Sequence, residues 1–326
     1  MKRRDFIALL GGAATWPLAA RAQQSAMPIV GFLHPASPEP FGHIVDGFRR
    51  GLSDTGFVEG QNAAIEYRWA RGEYERLPAL AAELVQLRAR VIVAGGGEVG
   101  ALAAKAATST IPILINTSSD PVKSGLVASF NRPGGNVTGL MTATSVLEAK
   151  KFGLLCEMAP NARIVAMLIN PSYPPNVADA VEVQSAAQSI RRQLLVLKAD
   201  SAQSIDTAFA TLLEQHAEAL LVAGDPFLEN RYQQLVPLVT RHAIPAIYNF
   251  RESVRGGGLM SYGANLSNNY RQLGAYAGRI LKGESAADLP IIFPAIFDFA
   301  INLVTAKALG LTVPPMLLAR ADEVIE

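Results

Sequence analysis

One order of elements occurs twice along this chain, and this repetition restricts its fold more than any other feature. The first half contains RVIVAGGG, a helical stretch, TIPILINT and PGGNVTGLMT; the second contains EALLVAGD, a helical stretch, AIPAIYNF and RGGGLMSYG. Short apolar runs alternate with amphipathic helices from Pro28 onward, which predicts parallel sheets covered by helices. The matched units predict two α/β lobes of similar topology, and their long period excludes a solenoid.

The first 22 residues are typical of an export signal. Three basic residues at positions 2–4 precede a short apolar stretch, and small residues at Ala20 and Ala22 supply a cleavage site. The paired arginines are typical of the twin-arginine variety. Cleavage after Ala22 leaves 304 of the 326 residues. The removed segment contains four basic residues and one acidic residue, so the formal net charge changes from +1 to −2. Retention as an N-terminal anchor is the alternative.

Charge and composition exclude several classes of protein. A slightly acidic exported chain lacks the positive surface that nucleic-acid binding requires. No later stretch approaches the ~20 apolar residues of a membrane span. The lone Cys156 lies in the apolar run FGLLCEM and is expected to be a buried small hydrophobe. Three histidines, His43, His216 and His242, lie on helical stretches without the spacing of a metal site.

Several blocks of sequence carry a family resemblance. They are HPAS at 34–37, GFVEGQNAAIEYRWA, SDPVKSGLVASFNRPGGNVTG, LMSYG with the following YRQLGAYAGRILKGE, and the closing INLVTAKALGLTVPPMLLARADEVIE. Over nearly the whole mature chain, the sequence resembles the solute-binding components of ABC importers, in the substrate-binding family that includes tryptophan- and tyrosine-type binders. The resemblance implies a type I periplasmic-binding-protein fold, in which two doubly wound parallel-sheet lobes flank a hinged cleft.

The resemblance also implies a function. A periplasmic protein of this kind closes on a small organic solute and delivers it to an ABC permease in the inner membrane. The expected solute is an aromatic or apolar amino acid, with an aromatic carboxylate as second choice. We expect a monomer with no enzymatic activity, cofactor, metal or nucleic-acid partner. Ligand sensing for a periplasmic receptor is the alternative, since sensory domains reuse this fold.

Three glycines mark the predicted crossings between the lobes. Crossings near Gly139, Gly258 and Gly283 divide the chain into a first lobe of 28–141 plus 259–282 and a second lobe of 142–258 plus 283–326. Gly139 and Gly258 are predicted hinges, because glycine adopts the widest range of backbone angles. A role as simple turn residues is the alternative.

Ligands of open parallel sheets bind at the carboxyl ends of the strands. In the first lobe, the loops at these ends precede helices whose free N–H groups can hold a carboxylate. The candidate residues there are His34, Ala36, Ser37, Gly95, Gly96, Gly97, Asn116, Ser118 and Ser119. A capping role is the alternative for His34 and for each of the serines.

The matching loops of the second lobe add acidic and aromatic candidates. These are Asn170, Tyr173, Asp225, Phe227, Tyr248, Phe250 and Tyr262. Asp225 ends the run ALLVAGD and is expected to pair with an ammonium or hydroxyl group of the ligand, the alternative being a cap on its own helix. Two or three of the aromatic rings are expected to sandwich a flat or apolar ligand.

One motif indicates a different class of protein. Gly95, Gly97 and Gly100 spell GxGxxG directly after a predicted strand, and Asp120 follows twenty positions later, which outlines a dinucleotide fingerprint. In that fingerprint the glycines belong to the first strand–helix unit, whereas here they follow the third. An exported nicotinamide-dependent oxidoreductase is therefore the weaker alternative. A serine hydrolase is not indicated, because the chain has no GxSxG elbow.

Overall fold

The computed structural model describes residues 27–141, 145–293 and 296–326. The predicted export signal lies outside these residues. Within them, no helix is both long and apolar enough to cross a membrane. The described chain forms two β-sheets, each with helices packed on both faces, which confirms the predicted α/β class.

The first sheet has five parallel strands in the order β2-β1-β3-β4-β5. The strands are β1 (Ile29–His34), β2 (Ala64–Trp69), β3 (Val91–Ala94), β4 (Ile113–Thr117) and β5 (Val137–Met141), and the helices between them are α1 (Gly42–Ser53), α2 (Leu77–Gln86) and α3 (Glu98–Ala107). Short 3₁₀ turns at Glu39–Phe41 and Tyr74–Arg76 precede α1 and α2. Phe32 and Leu33 belong to separate cores, because successive strand residues face opposite sides of the sheet.

The second sheet has seven strands in the order β12-β11-β10-β9-β8-β6-β7. The strands are β6 (Ile164–Ile169), β7 (Gln193–Lys198), β8 (Ala219–Val222), β9 (Ala246–Tyr248), β10 (Met260–Ala264), β11 (Phe297–Asn302) and β12 (Glu323–Ile325). The remaining helices are α4 (Ser145–Met158), α5 (Pro174–Ser189), α6 (Ala202–Glu214), α7 (Pro226–Asn230), α8 (Tyr232–Arg241), α9 (Arg251–Arg255), α10 (Leu266–Leu281), α11 (Leu303–Ala308) and α12 (Pro315–Leu318). This sheet differs from the predicted parallel arrangement at one point, because β11 runs antiparallel to β10.

The chain passes between the two sheets at three places, and two of them differ from the prediction. β10 pairs with β9 and β11, so residues 260–264 belong to the second sheet and not to the first lobe. The second crossing therefore lies at Asn265, after β10, just as the first lies after β5. The third lies beyond Ile292, which still pairs with Leu140 of the first lobe. The chain re-enters the second sheet from the cleft side, which explains why β11 is antiparallel.

The predicted hinge glycines do not lie at these crossings. Gly139 is inside β5 with φ +139°, where a Cβ would overlap the backbone of Ile115. Gly258 follows α9, where a Cβ would press on the ring of Tyr248 and the carbonyl of Ser253. Both residues are glycine because neighbouring groups approach their backbone, so the hinge assignment at these positions is wrong.

Helix α10 returns to the first lobe and packs on α1 with almost no side chain between them. Gly47 and Gly51 of α1 contact the backbone of α10, and a Cβ on Gly51 would overlap the carbonyl oxygen of Arg271. From the other side, Gly274 contacts the backbone of α1 at Phe48. Gly47 and Gly51 are four residues apart and therefore lie on the same face of α1. Helix α10 thus belongs to the first lobe.

We expect Gly51→Ala to lower the free energy of unfolding by about 1–3 kcal/mol, because the added methyl must separate two helix backbones. Gly42→Ala is the matched control in the first turn of the same helix, where a Cβ meets no atom within 4 Å. That change should be neutral or stabilise by up to about 1 kcal/mol, since alanine is the better helix former. Denaturant unfolding measures both variants, and equal effects would contradict the packing argument.

Candidate functional site

The carboxyl ends of the two sheets face each other across a cleft. The cavity there contains about 670 Å³ of space free of protein atoms, part of it open to solvent. Eight residues predicted from the sequence line it: His34, Gly96, Gly97, Asn116, Ser118, Tyr173, Asp225 and Phe250. The strand-end rule thus identified residues on both walls.

The first-lobe wall is built around the start of α3. Gly96 and Gly97 turn the chain with φ of +69° and +90°, angles that favour glycine. The Gly97 N–H donates to the carbonyl oxygen of Asn116 at 3.0 Å, which joins the loop after β3 to the end of β4. The first N–H groups of α3 lack partners within the helix and give this wall a partial positive charge.

His34 is a neutral hydrogen-bond donor at this wall. Its ring is buried between Phe41 and Trp69, each with its ring centroid 5.0 Å away. Burial, with a smaller effect of His43, lowers the pKa of His34 to about 3. The Ala36 N–H donates to Nδ1 at 3.2 Å, so the single ring proton is on Nε2. His34 therefore holds the loop after β1 through the Ala36 N–H and lies in the cavity wall, but it caps none of the described helices.

The second-lobe wall is acidic. Its described lining contains Glu148, Asp225 and Glu229 and neither lysine nor arginine. Behind it, Lys151 Nζ donates at 2.9 Å to both Glu148 and the carbonyl oxygen of Val222. Both side chains of this pair are buried, at 0% and 1% exposure. Lys151 thus balances Glu148, while the other two acids have no cation of their own on the wall.

The carboxylate of Asp225 is held by three donors. It caps α7 through the Leu228 N–H at 2.8 Å, and it accepts from Tyr74 Oη at 2.8 Å and Asn170 Nδ2 at 3.1 Å. The capping alternative raised by the sequence is therefore realised, together with a place on the cavity wall. Asp225 is a structural acid at the cleft whose oxygens are already engaged by protein groups.

Burial shifts the titration of both unbalanced acids. It raises the pKa of Asp225 to about 6, although the hydrogen bonds from Leu228, Tyr74 and Asn170 oppose the shift. Burial, and then the negative charge of Asp225, raises the pKa of Glu229 well above its ordinary value. Negative charge at this wall is therefore costly without a cation in the cleft.

Eight other predicted residues do not line the cavity: Ala36, Ser37, Gly95, Ser119, Asn170, Phe227, Tyr248 and Tyr262. Ala36, Phe227 and Tyr248 are buried in the lobe cores, and Tyr262 stacks on Phe297. The remaining four support cavity residues or join loops; Gly95, for example, lies beneath Tyr270, and Asn170 lies behind Asp225. The strand-end rule locates a loop but gives no direction for its side chains.

The sequence analysis missed several wall residues. Glu148 lies on α4, Glu229 on α7, and Leu266 and Tyr270 on α10, while Phe41 precedes α1. A signal for Glu148 was available, because a charged pair at positions 148 and 151 interrupts an apolar helix. Leu266 and Tyr270 carried no such signal, since they reach the cleft only through the packing of α10.

The GxGxxG glycines have packing roles. A Cβ on Gly95 would overlap Tyr270, one on Gly97 would overlap the hydroxyl of Tyr173, and one on Gly100 would lie 2.5 Å from the Gly95 carbonyl oxygen. These contacts explain the glycines without a bound phosphate. Among the described residues, no group of three or more His, Cys, Asp or Glu is arranged to hold a metal ion.

We expect Lys151→Met to lower the free energy of unfolding at pH 7.5 by about 3–5 kcal/mol, because it leaves buried carboxylates without their cation. The loss should be smaller at pH 5. Lys151 lowers the pKa of Glu229, so its removal raises that pKa further, and the folded variant gains more stability from protonation on acidification than the wild type does. Denaturant unfolding at the two pH values measures the effect.

The neighbouring Lys150→Met is the control. Lys150 is exposed and contacts only the face of Tyr262 at 6.0 Å among the described interactions, so its loss should cost at most about 1 kcal/mol. Equal losses for the two lysines, or a Lys151→Met loss that grows on acidification, would contradict the charge assignment.

Comparison with known proteins identifies the family. A curated relative, a tyrosine-binding protein of Clostridioides difficile, is 26% identical over 265 residues, which are 81% of this chain and 76% of that protein. An ABC domain from Streptococcus pneumonia in complex with L-Trp superposes with a TM-score of 0.83 at 22% identity, over 92% of this chain and all of that one. The ligand-free, open structure of a Clostridium difficile substrate-binding protein with adhesive properties gives 0.64 at 25% identity, over 92% and 99%. The family model for ABC transporter substrate binding proteins matches residues 30–325, and the chain belongs to that family.

Proposed function

We propose that this protein captures an aromatic amino acid in its cleft and delivers it to an ABC permease. The observation that carries the proposal is the opposite polarity of the two walls. The first-lobe wall presents N–H and hydroxyl groups, and the second presents carboxylic acids without a matching cation. A zwitterion fits between such walls with its carboxylate toward the first lobe and its ammonium toward the second.

The carboxylate end is assigned to the start of α3. His34 Nε2, the Ser118 hydroxyl and the loop at Gly96–Gly97 all border the cavity there. Neutral donors at a helix N-terminus are the usual partners of a buried anion. The hydroxyl of Tyr173 reaches the same place from the second lobe, 2.8 Å from Ser118 Oγ.

The ammonium end is assigned to Glu229 and Asp225. Of the two, Glu229 is the better direct partner, because its only hydrogen bond among those described is a long one of 3.4 Å from Asn249 Nδ2. Asp225 contributes its negative charge while its oxygens stay bound to Leu228, Tyr74 and Asn170. A ligand ammonium would offset the burial of both acids.

The space between the two polar ends is apolar. Phe41, Leu147, Phe250 and Leu266 line it, drawn from both lobes. Aromatic rings favour such walls, because they bury a large area with preferred stacking geometry. The tyrosine-binding relative and the L-Trp complex have related architecture, which supports an aromatic side chain here.

The family supports a transport role outside the cytoplasm. We assign the protein to the periplasm, exported by its N-terminal signal, and to a monomer without enzymatic activity. Closure on the solute then provides the form that the permease recognises. Family membership supports the transport role, and the sequence of residues 1–22 supports export.

We expect L-tyrosine or L-tryptophan to bind at least tenfold more tightly than the matching des-amino acid or decarboxylated amine, because either analogue leaves a buried polar group unpaired. Titration calorimetry measures the set. Affinity for the amino acid should fall as the pH decreases from 7.5 to 5.5, since Asp225, with its pKa raised to about 6, loses its charge. Binding of the des-amino acid should not fall with it.

Glu229→Gln should lower the affinity for the amino acid more than the affinity for the des-amino acid, because it removes the charge beside the ammonium group. Glu182→Gln, at an exposed position on α5, is the control and should bind both like the wild type. Equal losses for both ligands would refute the ammonium assignment. Absence of binding by every amino acid would refute the ligand class.

A further inference from the structure

Two tyrosine hydroxyls cross the cleft in opposite directions. Tyr74 of the first lobe lies between Asp225 and Phe227 of the second: its hydroxyl donates to Asp225 Oδ2 at 2.8 Å and accepts from the Phe227 N–H at 3.0 Å. Tyr173 of the second lobe shares a hydrogen bond of 2.8 Å with Ser118 of the first. The hydroxyl of Tyr173 also contacts Gly97, where a Cβ would overlap it.

The two hydroxyls meet equivalent positions of the repeated halves. Gly97 is the N-cap of α3, and Asp225 is the N-cap of α7. In the repeated segments RVIVAGGG and EALLVAGD, these two residues occupy the same final place. Each lobe therefore inserts a tyrosine at the start of the corresponding helix of the other lobe, where hydrogen-bonding groups are available.

The rings are fixed by packing, so the hydroxyls reach across without much loss of side-chain entropy. Tyr74 packs against the first-lobe hydrophobic core that includes the buried leucines of α2. It also packs against the second-lobe core that contains Phe227. Tyr173 is 2% exposed and borders the cavity, whereas Tyr74 lies outside the lining, behind Asp225. Tyr74 thus joins the lobes at a point that a ligand does not touch.

We propose that Tyr74 and Tyr173 form a reciprocal clasp that sets the balance between closed and open cleft, and so determines affinity. The inference rests on the proposed function for its effect on binding, but the clasp itself is made only of protein groups. It therefore acts in the ligand-free protein, which should populate the closed arrangement. Tyr74 is a positioning residue in this scheme, since it acts on the ligand only through closure and Asp225.

Distances between spin labels test the clasp without any ligand. Labels at Lys123→Cys and Glu182→Cys, both exposed and on opposite lobes, report closure in a Cys156→Ser background, where no other thiol remains in the mature chain. We expect a population at short distance in the parent protein. Tyr74→Phe and Tyr173→Phe should each move it toward longer distances, and the double variant should do so most.

Tyr276→Phe is the matched control. Its hydroxyl donates to the carbonyl oxygen of Pro290 at 3.0 Å within the first lobe, so its loss removes a hydrogen bond without touching the cleft. Its distance distribution should equal that of the parent. Unchanged distributions for both clasp variants, or a parent protein found only in the open form, would overturn the proposal.

Affinity measurements distinguish a failure of the clasp from a failure of the ligand assignment. With L-tyrosine as probe, Tyr74→Phe should weaken binding about tenfold and Tyr173→Phe about fivefold, because a bond to a carboxylate is the stronger. If no amino acid binds the parent while the distances still shift, the clasp stands and the ligand assignment fails. If the distances do not shift while L-tyrosine binds, the clasp fails and the ligand assignment stands.

Discussion

The backbone contact between α1 and α10 fixes the geometry on which the cleft depends. The chain leaves the first lobe after β5, forms most of the second sheet and then returns as α10. Helix α10 packs on α1, and the third crossing follows it along the chain. Glycines at Gly51 and Gly274 allow the two helices to touch directly. Leu266 and Tyr270 come to the cavity on this helix. Part of the binding wall is therefore placed by a contact between two helices and not by the end of a strand.

The second wall is organised by charge. A buried lysine balances one acid, and burial raises the pKa of the remaining two. Such a wall is poorly matched to the empty cleft and well matched to a cation, because a ligand that supplies positive charge relieves a cost already present in the protein.

The fold was predictable because it depends on local patterns, and the site only in part. Periodicity located the strands, and the strand-end rule brought His34, Gly97, Ser118 and Asp225 to the cavity. The strand-end rule did not predict the hydrogen bond from Tyr74 to Asp225, because these residues are 151 positions apart and lie on different lobes. The crossing at Asn265 was misplaced for a related reason. A glycine pair marks a turn in the sequence, while only the pairing of β10 shows to which sheet the strand belongs.

Polar groups make the hydrogen bonds that join the two lobes across the cleft. The groups that meet across the cleft are hydroxyls, an amide and carboxylates, at Tyr74, Ser118, Tyr173, Asp225 and, beside them, Asn230. Water can take the place of each partner, so each of these contacts stabilises the closed form by about 0.5–3 kcal/mol net. Opening of the cleft at these contacts therefore exposes polar groups to which water can hydrogen-bond.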